Sequence, residues 1–133
     1  MAFDIEYQDR SGYLHAVVTG HNTPENVVNY MNAIRAECER TDCYRVLIEE
    51  KLDGPRFDEM EIFALITEGS PEALGFFEAL AYVDEQQDLE VVNFAETVAV
   101  NRGIPIATFA SIADAENCIR HRSDDDNGQA IFT

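Results

Sequence analysis

Tyr44-Arg45-Val46-Leu47-Ile48-Glu49-Glu50 runs directly into Lys51-Leu52-Asp53-Gly54-Pro55-Arg56-Phe57 and then into Asp58. The first seven residues read as a buried strand, because aliphatic and β-branched side chains stand together and an Asp-Gly-Pro turn follows them. The helix that begins at Asp58 is marked locally in two ways. Asp58 and Glu61 are spaced as an aspartate variant of the capping box, and Phe57 and Ile62 flank the cap as a hydrophobic staple. In an open α/β sheet, sites are built at the carboxyl ends of strands. The 51–57 loop is therefore the first place to look for one.

The chain on either side follows the same plan. Phe3, Ile5 and Tyr7 alternate with Asp4, Glu6 and Gln8, which predicts a half-buried strand with an acidic outer face. Asp9-Arg10-Ser11-Gly12 supplies a turn, and residues 13–19 form a second strand, so the pair is expected as an antiparallel hairpin. Thr23-Pro24-Glu25 is a helix start, with an N-cap threonine, proline in the first turn and then an acid. Val27, Met31, Ile34 and Cys38 lie along one stripe of that helix. A strand, a helix of this length and a strand make a crossover, which predicts that the second and third strands are parallel. After the Asp58 helix, Gly69 is expected as its stop and Ser70-Pro71-Glu72 as a second, short start. A strand over 76–84 comes next, followed by a helix to about 102 with Val91, Phe94, Ala95 and Val98 inward. A strand over 104–109 precedes a last helix capped by Ser111, with Ile112, Ala115, Cys118 and Ile119 inward. The prediction is one α/β domain over residues 1–122: a five-stranded mixed sheet, order 1-2-3-4-5, with four main helices. Residues 123–133 are expected as an acidic tail.

This layout resembles the SpoIIAA-like fold of STAS domains, the anti-sigma-factor antagonists and transporter tails. The resemblance runs from Phe3 to about Arg122. It is strongest at Val46-Leu47-Ile48-Glu49 and at Phe57-Asp58-Glu59-Met60-Glu61-Ile62-Phe63-Ala64-Leu65. Val83-Asp84 and Val98-Ala99-Val100-Asn101-Arg102-Gly103 are also similar to segments of the small stand-alone bacterial members. The resemblance implies a regulatory or protein-interaction module without enzymatic activity. It places Asp58 on the family aspartate and Glu59 where the family carries a phosphorylatable serine. Residues 49–62 contain no serine or threonine, so a kinase-controlled switch cannot operate there. A carboxylate at Glu59 could imitate a phosphorylated state, with less charge and fewer acceptor oxygens.

Charge narrows the possible partners. Twenty-six acids against nine bases give a net charge of −17 over 133 residues. Nucleic acid and anionic membrane surfaces both need a basic face, so neither is expected as a partner. No apolar run is long enough to span a bilayer, and the acidic, alternating start is unlike a signal peptide, so the expected location is cytoplasmic. Lys51 is the one lysine. Such a composition fits either an ordinary acidic protein or one adapted to a high-salt cytoplasm, where screening relieves self-repulsion. If the second holds, the melting temperature rises steeply towards molar potassium chloride; a flat response leaves the first.

No phosphate loop, dinucleotide fingerprint or nucleophile elbow is present, so no cofactor and no catalytic residue is assigned. Cys38, Cys43 and Cys118 are read as reduced thiols rather than metal ligands, and His15, His21 and His121 are dispersed. The candidate contact surface comprises Glu49, Glu50, Asp53, Arg56, Asp58 and Glu59, facing a protein partner. The alternative is a small apolar or lipid-like ligand held in a pocket between helix and sheet, with Asp84 and Arg102 as polar anchors; homodimerisation also stays open. Adjacent strand residues face opposite ways, so Glu49 and Glu50 are not expected to act together.

Overall fold

The computed structural model describes residues 3–10, 12–73, 75–84 and 89–124. The elements run β1 (Phe3–Arg10), β2 (Tyr13–His21), α1 (Pro24–Thr41), β3 (Arg45–Asp53), α2 (Glu59–Ala73), β4 (Ala79–Val83), α3 (Leu89–Asn101), β5 (Ile106–Phe109) and α4 (Ile112–Asp124). They form a five-stranded sheet in the order β1-β2-β3-β4-β5. β1 and β2 are antiparallel, and β3, β4 and β5 are added in parallel. Both agree with the sequence pattern, and the stretch that decides the fold becomes the central strand.

The sheet has two unlike faces. On one, Leu14, Ala16, Val18, Val46, Ile48, Leu52 and Leu80 pack with Tyr30, Ile34 and Cys38 of α1 and Ala99 of α3. On the other, Tyr13, Leu47, Ala79, Ala81, Val83 and Ala107 pack beneath Ala115 and Ile119 of α4. The period of two along β3 sorts its side chains between them: Val46, Ile48, Glu50 and Leu52 take the first face and Leu47 the second. α2 differs from the other helices. Among the described residues it approaches α1 and α3 closely, and no strand.

Local chemistry accounts for most boundaries. The Thr23 side chain accepts the Asn26 N–H at 3.1 Å, and α1 ends at Asp42 in a left-handed conformation, φ 55°. At α2 the capping box is reciprocal: Glu61 N–H donates to Asp58 Oδ1 at 2.8 Å, and Asp58 N–H donates to Glu61 Oε1 at 3.0 Å. Asp58→Ala is expected to cost about 1 kcal/mol, read as a lower urea midpoint, because it orphans an end donor. At the front edge of β4, Glu78 pairs with Arg45 at 2.8 Å, which explains an acid at a strand start.

Several sequence expectations shift. α2 does not stop at Gly69; it continues through Pro71 to Ala73. Gly69 is not among the residues of positive φ, whereas Gly75, at φ 78°, makes the left-handed turn that a helix stop uses. Proline at position 71 removes one helical bond without ending the helix. β4 starts at Ala79, because Phe76 and Phe77 are spent on an aromatic cluster with Tyr44, with centroids 4.9 and 5.3 Å apart. The buried stripe of α1 is Asn26, Tyr30, Ile34 and Cys38. Val27 and Met31, one position round, are only half-buried and turn towards α2. α4 takes in Ser123 and Asp124; the rest of the expected tail lies outside the described residues, as does part of the segment leading into α3.

Candidate functional site

Because α2 stands off the sheet, a cavity of about 240 Å³ lies between it, α1, α3 and the first sheet face. Its walls are mainly apolar: Val27 and Met31 from α1, Ile62, Leu65 and Ile66 from α2, Ala95 and Ala99 from α3, and Ile48 and Leu80 from the sheet. Phe57, the residue before the α2 cap, also lines it. A cavity of ~150 Å³ holds a benzene, so this one suits roughly ten non-hydrogen atoms.

A carboxyl group sits in that apolar wall. Glu50, 6% exposed, extends from β3 in the same row as Val46, Ile48 and Leu52. Tyr30 of α1 donates its hydroxyl proton to Glu50 Oε2 at 2.5 Å, and Tyr82 of β4 donates to Oε1 at 2.6 Å. Burial pushes the Glu50 carboxyl up from 4.5 to about 7; the two tyrosine hydrogen bonds oppose that rise, and the nearby Asp84 charge adds to it. The same burial, with the charge of Glu50, holds both tyrosine hydroxyls well above their ordinary range, so they stay protonated. Further along the wall, Glu96 Oε1 accepts from the Thr108 N–H at 3.0 Å and from the Thr108 hydroxyl at 2.6 Å.

Asp84 stands beside Glu50, shares a hydrogen bond with its carboxyl, and has a counter-charge of its own. Its side chain is 1% exposed and pairs with Arg56 at 3.2 Å. Arg56 also donates to the carbonyls of Leu52, at 2.6 Å, and Gly54, at 3.2 Å, so one guanidinium closes the loop after β3 onto the end of β4. The loop is fixed from the other side too: Asn22 Nδ2 donates to Pro55 O and Asn22 N–H to Asp53 O, each at 2.7 Å. Gly54, at φ 100°, takes the left-handed residue this turn requires.

The structure divides the six residues of the expected contact surface. Asp53, Asp58 and Glu59 are exposed. Arg56 is turned inward to Asp84. Glu50 is buried and cannot belong to a surface. Glu49 lies on the opposite sheet face, 3.1 Å from His15 Nε2 and 3.4 Å from Lys51 Nζ. Of the two expected ligand anchors, neither Asp84 nor Arg102 lines the cavity; the Arg102 guanidinium lies 5.1 Å from the Phe63 ring centroid. Tyr30, Glu96 and Thr108 were not singled out by the sequence. Glu50 carried a usable signal, a carboxylate in phase with an otherwise apolar strand row. Among the described residues, no His, Cys, Asp and Glu side chains are grouped to hold a metal ion. Burial pushes the Cys38 thiol up to about 12, so it stays a neutral core group.

No family model, no curated protein and no solved structure matches this chain. No helix among the described residues is long and apolar enough to cross a membrane.

Proposed function

We propose that this protein is a binding module for a small, mainly apolar ligand, seated in the cavity between α2 and the sheet. One observation carries the reading: a helix held away from the sheet leaves about 240 Å³ of apolar-walled space where side chains ordinarily interdigitate. The reading is one of binding rather than catalysis, since the polar groups along the wall are engaged with one another. The test is to fill the space. Ala95 lines it from α3, so Ala95→Phe directs a ring into it. Titration of the wild type with benzene should move the amide resonances of Ile48, Leu80 and Ala99. The variant should show no such shifts and a melting temperature no lower than the wild type's. If benzene leaves those resonances unmoved in the wild type, the reading fails.

A second reading attaches to the outer surface of α2. Met60 is 83% exposed and Phe63 44%, beside exposed Asp58 and Glu59. An apolar pair rimmed by acids suits a protein partner with a basic surface around an apolar socket. The resemblance to anti-sigma-factor antagonists supports the same end of this helix. A partner recovered by the wild type should be lost by Met60→Asp combined with Glu59→Lys; equal recovery by both removes this reading.

A further inference from the structure

Around Glu50 and Glu96 the polar lining of the cavity is one-sided. The hydroxyl protons of Tyr30 and Tyr82 are donated to Glu50, and those of the Thr108 hydroxyl and N–H to Glu96. With Glu50 ionised, what these groups still offer a guest is lone pairs only: two carboxyl groups and three hydroxyl oxygens. Register places them together. Ile48, Tyr82 and Thr108 are neighbours across β3, β4 and β5, so Tyr82 stands between the two carboxyl groups. The strands of Glu50 and Thr108 are two spacings apart, roughly 10 Å.

Neither carboxyl group has a cation of its own. Arg56 is committed to Asp84, and among the described residues no basic side chain pairs with Glu50 or Glu96. Among the described residues lining the cavity Arg35 is the one basic group, and its guanidinium donates to Asn32 Oδ1 at 2.7 Å. Arg35 lies over Phe76, which packs edge-on against Tyr44. Tyr44 precedes Glu50 by six residues, roughly 20 Å of extended chain. A buried carboxylate without a counter-charge is unfavourable, and an opposite charge brought to it is correspondingly favoured.

Resting on the apolar-ligand reading, we propose that the natural ligand is a compact apolar molecule bearing one primary amine, whose ammonium group docks against Glu50. The ammonium supplies three donors to the free lone pairs around Glu50, and its charge meets a carboxyl group that no basic side chain among the described residues pairs with. The hydrocarbon body fills the space beneath α2. A carboxylate or phosphate ligand of the same size would face Glu50 and Glu96 at once, inside a protein of net charge −17. The groups facing Glu50 are Tyr30 from α1, Tyr82 from β4 and Asp84 with its Arg56 partner. Docking an ammonium there releases to solvent the proton that Glu50 holds near neutrality.

Three probes of one size test this by calorimetry on the full chain at pH 7.5: benzylamine, benzyl alcohol and benzoate. Benzylamine should bind at least tenfold more tightly than benzyl alcohol, and benzoate should not bind. In Glu50→Gln the preference for benzylamine over benzyl alcohol should fall from at least tenfold to less than twofold. The wild-type series stands by itself should the variant fold poorly. If benzyl alcohol equals or exceeds benzylamine in the wild type, the amine assignment is overturned and the cavity reading survives. If none of the three binds, both are overturned.

Discussion

Replacing Glu50 by glutamine is expected to abolish most of a stability loss that the wild type shows between pH 5 and pH 8. In the folded chain the Glu50 carboxyl holds its proton up to about 7, against 4.5 for an ordinary glutamate. Between those values the folded state binds more protons than the unfolded state, so stability falls as pH rises. The contribution is fully present below the unfolded value and is gone once pH has passed the folded one. A difference of this size amounts to about 3 kcal/mol over the full span, of which roughly 2–3 kcal/mol falls between pH 5 and 8. Glutamine is the neutral isostere: its oxygen accepts from one tyrosine and its amide donates to the other, so the two neighbours stay satisfied. Urea midpoints of both proteins across that range give the comparison, and the difference between them isolates Glu50 from every other titrating group. If the wild type instead gains on the variant as pH rises, Glu50 is ionised in the fold and the account of its environment is wrong.

Arg56→Ala should be the most damaging single change in the loop after β3. It removes the guanidinium from an Asp84 side chain that is 1% exposed, and it releases the carbonyls of Leu52 and Gly54. Breaking a fully buried pair costs about 3–5 kcal/mol; with Arg56 itself 21% exposed, roughly 2–4 kcal/mol is expected. Asp84→Asn in the same chain should recover part of this, because the stranded charge is gone while the lost carbonyl contacts are not. A double-mutant cycle in urea gives the coupling directly. Additive effects of the two substitutions would show that the pair contributes nothing beyond its separate packing.

Much of the architecture was legible because each β3 flank carries its own local instruction. Thr23-Pro24 and Asp58 with Glu61 set helix starts where the structure has them, and the alternation of Phe3, Ile5 and Tyr7 sets the hairpin face. The site was legible only in part. That Glu49 and Glu50 face opposite ways follows from strand geometry, but which face is covered by three helices does not. Tyr30 escaped because α1 carries two apolar stripes one residue apart, and a period of 3.6 alone cannot choose between them. Glu96 and Thr108 meet only through the packing of α3 on β5. Apart from Glu50 the cavity had little signature: most residues around it are as apolar as core residues, and the space arises from where the helix rests.

That resting place has a kinetic meaning. Its backbone approaches two neighbouring helices and no strand, with Ile66 reaching the core, so an opening of α2 leaves every ladder of the sheet intact. Such an opening is sub-global, with a smaller free energy than the unfolding of the whole domain. The hydrogen-exchange clock of the α2 amides, run against that of the strands, reads the difference between the two openings.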